Sequence, residues 1–148
     1  MHLYKLQLNW AARRAGKAKS EDFPELTISA PVEFGGDAQT WTPEHLLVAS
    51  TASCLMTTFI AIAEISKLQL FSYRSGAEGK LEKAPEGGYW ISQIVLTPEV
   101  AVLAGNEEKA LRLLSKAEKN CFISNSLRTA VRVEPTVVAR SSENEVAA

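Results

Sequence analysis

Between Leu46 and Ala63 the chain carries eighteen residues without one charge. Thr42-Pro43-Glu44 opens this run in the manner of a helix start: a hydroxyl for the free N–H groups, proline at the first helical position, and an acid facing the positive end of the dipole. Glu64 and Lys67 return the charge, and Leu68 to Tyr73 has the look of a strand entry. A helix over this run is roughly 35 Å long. Because it is apolar nearly all round, it is expected to be buried nearly all round. The rival is a membrane span, for which eighteen residues just suffice. Ser50, Thr51, Ser53, Thr57 and Thr58 interrupt the run, and no basic cluster or aromatic belt flanks it. The expected reading is therefore the core helix of a soluble protein, with no membrane partner.

The remaining segments are short. Leu3 to Trp10 alternates as a strand, and Ala11 to Ser20, poor in large apolar residues and holding Arg13, Arg14, Lys17 and Lys19 around Gly16, reads as a turn or loop. Leu26 to Ile28 and Val32 to Phe34 are two more strand candidates, and Gly35-Gly36-Asp37 is a turn leading through Trp41 into the helix. Phe71 to Lys83 and Tyr89 to Pro98 form two strands around Ala84-Pro85-Glu86-Gly87-Gly88, with Gly76 and Gly79 suggesting a bend or bulge in the first. Asn106 caps a second helix patterned by Ala110, Leu111, Leu113, Leu114 and Ala117. Cys121 to Leu127 is a short extra helix or turn, and Val131 to Val138 a closing strand broken at Pro135. The order predicts an α+β fold, with residues 1–140 as one domain and 141–148 as a flexible tail. So few strands cannot cover every side of the long helix, so a homodimer pairing two such helices is expected.

A net charge of -1 gives no electrostatic reason to expect nucleic acid. The N-terminal pattern is not that of a signal or transit peptide, so the expected location is cytoplasmic. There, two cysteines are more often buried or reactive thiols than a structural staple.

Those two are Cys54, in the middle of the long helix, and Cys121, at a helix end. Cysteine is often simply a small buried side chain. Both, however, have hydroxyl or polar neighbours and sit where a helix holds their geometry. Two such thiols can work as a peroxidatic and resolving couple: one attacks an O–O bond, the other condenses with the sulfenic acid. The attacking thiol needs a lowered pKa, supplied by a nearby cation. His2 and His45 have no close cysteine or carboxylate at ligand spacing, so metal binding is not expected. His45 is roughly 13 Å along the helix from Cys54, too far for a base. No phosphate-binding, dinucleotide-binding or nucleophile-elbow motif is present.

Thr42-Pro43-Glu44-His45-Leu46-Leu47-Val48-Ala49-Ser50, followed by Ala52-Ser53-Cys54, resembles the N/T-P-E-x-L-L-x-A-x-x-x-C helix of the OsmC/Ohr family, the osmotically inducible and organic hydroperoxide resistance proteins. Cys121-Phe122-Ile123-Ser124-Asn125-Ser126 is similar to the segment after that family's second cysteine, and the element order fits along essentially the whole chain. The resemblance implies antiparallel sheets packed around a long buried central helix, in an intertwined homodimer with two sites at its interface. It implies a thiol peroxidase that reduces organic hydroperoxides with an external thiol reductant and no metal, haem or flavin. Cys54 matches the peroxidatic cysteine, Cys121 the resolving one and Glu44 the helix-start glutamate. Arg14, before Gly16, best matches the family arginine, with Arg13 as the fallback. In that scheme arginine stabilises the thiolate and the departing oxyanion, and glutamate holds the guanidinium. Trp41, Leu55, Met56 and Phe59 are candidate walls for the alkyl group. Phe122 stands where the organic hydroperoxide branch typically has proline, and the glycine run before the helix is shorter, so the branch stays open. The alternative reading is a dimer of the same fold that binds a small apolar molecule in its interface cavity, with sensor or inert thiols.

Overall fold

Helix α1 runs from Pro43 to Ile65 and starts as its sequence dictates. The Thr42 hydroxyl accepts a hydrogen bond from the His45 N–H (3.2 Å) and pairs with His45 Nδ1 (2.8 Å), while Glu44 supplies the acid of the first turn. The structure, a computed structural model, describes residues 1–141; of the tail expected over 141–148, all but Ser141 lies outside them. Two compact units divide the chain, one of Met1–Leu47 and a second that begins at Val48.

In the first unit β1 (Gln7–Ala12), β2 (Ala15–Lys19) and β3 (Leu26–Ser29) form an antiparallel sheet in that order. The first expected strand is real but lies further along, and the expected loop over 11–20 is mostly β2. Arg13, in the left-handed region (φ 51°), and Arg14 make the two-residue connection, with Ala12 paired to Ala15. Small residues disguised β2: Ala15 and Ala18 are its buried positions. Val32–Phe34 is a 3-10 turn and not a strand, because Pro31 starts it and Gly35 (φ 78°) closes it in the left-handed region. Gly36 stands so close that an added Cβ would lie 1.5 Å from the Ala30 carbonyl oxygen, so only glycine fits there.

In the second unit β4 (Leu70–Lys83) and β5 (Tyr89–Leu103) form a long antiparallel hairpin. Alternation sends Ile94, Leu96, Pro98, Val100 and Val102 of β5 into the core. Helices α2 (Glu107–Lys119) and α3 (Phe122–Asn125) then lead to β6 (Ala130–Val133) and β7 (Thr136–Arg140), both parallel to β5. They follow one another along β5, with Pro135 at the break and the Glu134 N–H bonded to Leu96 O at 2.8 Å. Asn106 precedes α2 but its side chain makes no capping bond there; its amide donates to Leu103 O instead (3.3 Å).

The irregularities of β4 fall at Leu70/Ser72 and Lys80/Leu81, not at the glycines. Gly79 serves close approach: a Cβ there would lie 2.6 Å from Val48 Cγ2 on α1. Valine is rigid at χ1 in a helix, so Gly79→Ala must move the helix or the strand. The expected loss is about 1–3 kcal/mol of stability, read as a lower urea midpoint with an unchanged slope.

The expected burial of α1 on all sides is corrected within the chain. Thr51, Leu55, Phe59 and Ala63 are its buried residues, a single i, i+4 stripe. Its 18-residue apolar window, of mean hydropathy 2.0, is long enough to cross a membrane by length and composition, and 22% of that window is buried.

Candidate active site

Cys54 immediately precedes Leu55 of the buried stripe, so it stands on the stripe's flank and is partly exposed. Cys121 arrives from another direction. The buried positions of α2, Ala110, Leu114 and Ala117, continue in step to Cys121, which is 1% exposed. The fold brings the two together: the Cys121 side chain lies near enough to lower the Cys54 pKa by a hydrogen bond to the thiolate.

Three further donors converge on Cys54. Thr58, one turn on along α1, contributes its hydroxyl, and Phe122 and Ile123 contribute backbone N–H groups. Cys121 is the residue before α3, and its side chain makes no capping bond. Free N–H groups at the start of that helix turn instead to the neighbouring sulfur. Burial alone would push the Cys54 thiol up, but the bonds from Ile123, Cys121, Thr58 and Phe122 outweigh it and hold the thiol below the ordinary cysteine range. Ser124 completes the cluster, with Oγ donating to Cys121 Sγ at 3.2 Å.

The sign of the titration follows. Between its native value and the higher value of the unfolded chain, Cys54 binds fewer protons when folded, so its contribution to stability rises with pH and is lost as pH falls through the native value. Alkylation of native Cys54 by iodoacetamide, followed by peptide mass, should level off at a lower pH than in the urea-unfolded chain. Coincident profiles would remove the claim of an activated thiol.

Arg14 and Glu44 lie in the first unit. The Arg14 guanidinium donates through Nη1 to the Phe34 carbonyl and lies against Gly35, and the Arg14 carbonyl accepts from the Ala30 N–H at 3.2 Å. Arg13 forms an exposed ion pair with Asp37 at 3.5 Å. Glu44 Oε2 is buried with no hydrogen-bond partner, and no ion pair joins Arg14 to Glu44 among the described residues. Of the four residues singled out from sequence, the structure therefore brings the cysteines together, and it does not pair the arginine with the glutamate.

Leu55 and Phe59, expected as pocket walls, are interior residues at 1% and 0% exposure. They sit on the buried stripe and anchor α1, whereas Met56 and Trp41 remain accessible. A groove of about 800 Å³ runs along Tyr4–Gln7 and Lys19–Glu21 and includes none of the four candidates. No group of three or more metal-ligating side chains occurs among the described residues. Thr58 and Ser124 escaped the sequence reading as partners of sulfur, although each follows its cysteine at helical spacing, i+4 and i+3.

Fold and site thus define an α+β chain whose central helix carries a partly exposed thiol, Cys54, beside a second, buried one, Cys121. Residues 35–136 match the family model described as OsmC-like protein, and the chain belongs to that family. It is 28% identical over 138 residues to an uncharacterized protein, YmaD, of Bacillus subtilis, covering 90% of this chain and 91% of the relative. Among solved structures it is similar to an OsmC-like protein of unknown function from Vibrio cholerae, with a TM-score of 0.84, 24% identity and coverage of 91% and 99% of the two chains. A putative organic hydroperoxide resistance protein from Vibrio cholerae, with captopril bound in one of its active sites, gives a TM-score of 0.69, 25% identity and coverage of 93% of each chain. These matches support a role in redox or peroxide-stress chemistry.

Proposed function

We propose that the chain is a thiol peroxidase that reduces organic hydroperoxides through Cys54 and Cys121. The observation that carries this reading is the hydrogen bond from the Cys121 thiol to an activated, partly exposed Cys54. The Cys54 thiolate attacks the outer peroxide oxygen, the O–O bond breaks, and the alkoxide leaves and takes up a proton as the alcohol. Cys54 is left as a sulfenic acid. Cys121 then attacks that sulfur, the S–S bond forms, the S–O bond breaks, and hydroxide departs with the Cys121 proton as water. An external thiol reductant restores both thiols.

Arg14 and Glu44 are proposed as the cation and carboxylate of this chemistry. Family membership supports the assignment, as does the unpartnered Glu44 oxygen, which a guanidinium would satisfy. The working form is proposed to be a cytoplasmic homodimer without metal or other cofactor. Support comes from the apolar faces of α1 that its own chain leaves uncovered and from the exposed row Leu6, Leu8 and Trp10, the last at 79%. Sedimentation at micromolar concentration should give twice the chain mass.

The test is intact mass and free-thiol count after one equivalent of cumene hydroperoxide. Loss of two hydrogens per chain, both thiols consumed and a Cys54–Cys121 peptide in the map are expected. Two free thiols beside unconsumed peroxide would overturn the reading and favour a dimer that binds a small apolar ligand.

A further inference from the structure

We infer that Ser124 is a positioning residue for Cys121: its hydroxyl is the donor that stabilises the Cys121 sulfur whenever that atom carries negative charge. This rests on the dithiol chemistry proposed above and names the residue that governs its second half.

Ser124 occupies the third position of α3 and Cys121 the residue before it, with Ser124 Oγ donating to Cys121 Sγ at 3.2 Å. Serine at such a place commonly reaches back to the backbone. Other hydroxyls in this chain do so: Ser126 Oγ donates to Phe122 O at 2.8 Å, Ser53 Oγ to Ala49 O at 2.7 Å, and Thr57 Oγ1 to Ser53 O at 3.0 Å. Ser124 spends its proton on a sulfur instead. That sulfur belongs to a residue only 1% exposed, so little water is available to replace the donor and the bond acts in a low-dielectric setting.

Ser124 donates to Cys121 and, when Cys54 is ionised, Cys121 donates to Cys54, so the donors then run in one direction. The first step uses Cys54 alone, and Ser124 does not touch it. In the second step the Cys121 proton leaves with the hydroxide and the Cys121 sulfur becomes an acceptor only; Ser124 then supports the charge that develops before the S–S bond closes. The reverse direction makes the same demand. A dithiol attacks the accessible Cys54 sulfur, the S–S bond breaks, and Cys121 departs as a thiolate that takes up a proton. The second thiol of the reductant then closes its own disulfide and releases Cys54.

The experiment compares the wild-type protein with Ser124→Ala and Ser124→Thr in three rates: oxidation of Cys54 by cumene hydroperoxide, closure of the disulfide, and reduction by dithiothreitol of a disulfide preformed with diamide. For Ser124→Ala the first rate should stay within about twofold and the other two should each fall about tenfold, the worth of a charge-assisted hydrogen bond. Ser124→Thr keeps the hydroxyl and should recover most of both losses. Closure and reduction unchanged in Ser124→Ala would overturn the assignment. So would equal slowing of all three rates without rescue by threonine, which marks a merely structural serine. If wild-type protein ignores the peroxide, the peroxidase reading fails, while the dithiothreitol arm still decides the role of Ser124.

Discussion

Cys54→Ser is expected to lower the rate constant for cumene hydroperoxide reduction by at least about a thousandfold, leaving a folded protein of the same oligomeric state. A serine hydroxyl is not ionised near neutrality, and the donors from Ile123, Cys121, Thr58 and Phe122 that favour a thiolate have no comparable anion to stabilise. Nor can Cys121 take over, being 1% exposed and turned toward Cys54. The partner substitution, Cys121→Ser, should behave differently. It leaves the first oxidation largely intact but no disulfide can close, so one equivalent of peroxide is consumed and a sulfenic acid persists that dimedone traps. Stopped-flow peroxide consumption with mass analysis separates the two cases. Turnover unaffected by Cys54→Ser would remove this cysteine as the nucleophile.

Phe59→Ala should cost about 3–5 kcal/mol of folding stability. Its ring has no exposure at all and lies 5.8 Å from the Tyr73 ring at an interplanar angle of 36°. It belongs to the one stripe by which α1 is held in its own chain, so a cavity there undermines the element that carries Cys54. Urea unfolding at one fixed protein concentration is the suitable measurement, because any association would add a concentration-dependent term. A loss below about 1 kcal/mol would mean that the site collapses around the missing ring and that Phe59 is no packing centre.

Sequence periodicity conveyed the strong elements and missed those built from small residues. The uncharged run gave α1 nearly to its ends, and the alternation in Trp90 to Leu96 gave β5, because in both the burial pattern is written in large apolar side chains. Strand β2 was hidden because alanine and glycine fill it, and Val32–Phe34 looked extended because three bulky residues outweighed the proline and glycine that bend them. The cysteines were legible from the residues as a possible redox couple, and the family resemblance alone gave each of them its role. Their contact depends on the turn from α2 into α3, which no local pattern reports. The role of Gly79 was invisible for the same reason: what it accommodates, Val48, is distant in sequence.

The parallel placement of β6 and β7 along β5 sets the order in which this site can be assembled. Helix α1 and the β4–β5 hairpin depend on neighbours in sequence and can form early. Cys121 lies on the crossover between β5 and β6, and parallel strands cannot close until such a crossover is in place. A chain still on its way to the native state therefore presents Cys54 without the N–H groups of Phe122 and Ile123, as an ordinary thiol. Its lowered pKa is a property of the finished topology, so the incomplete chain holds less of the thiolate near neutral pH than the folded one.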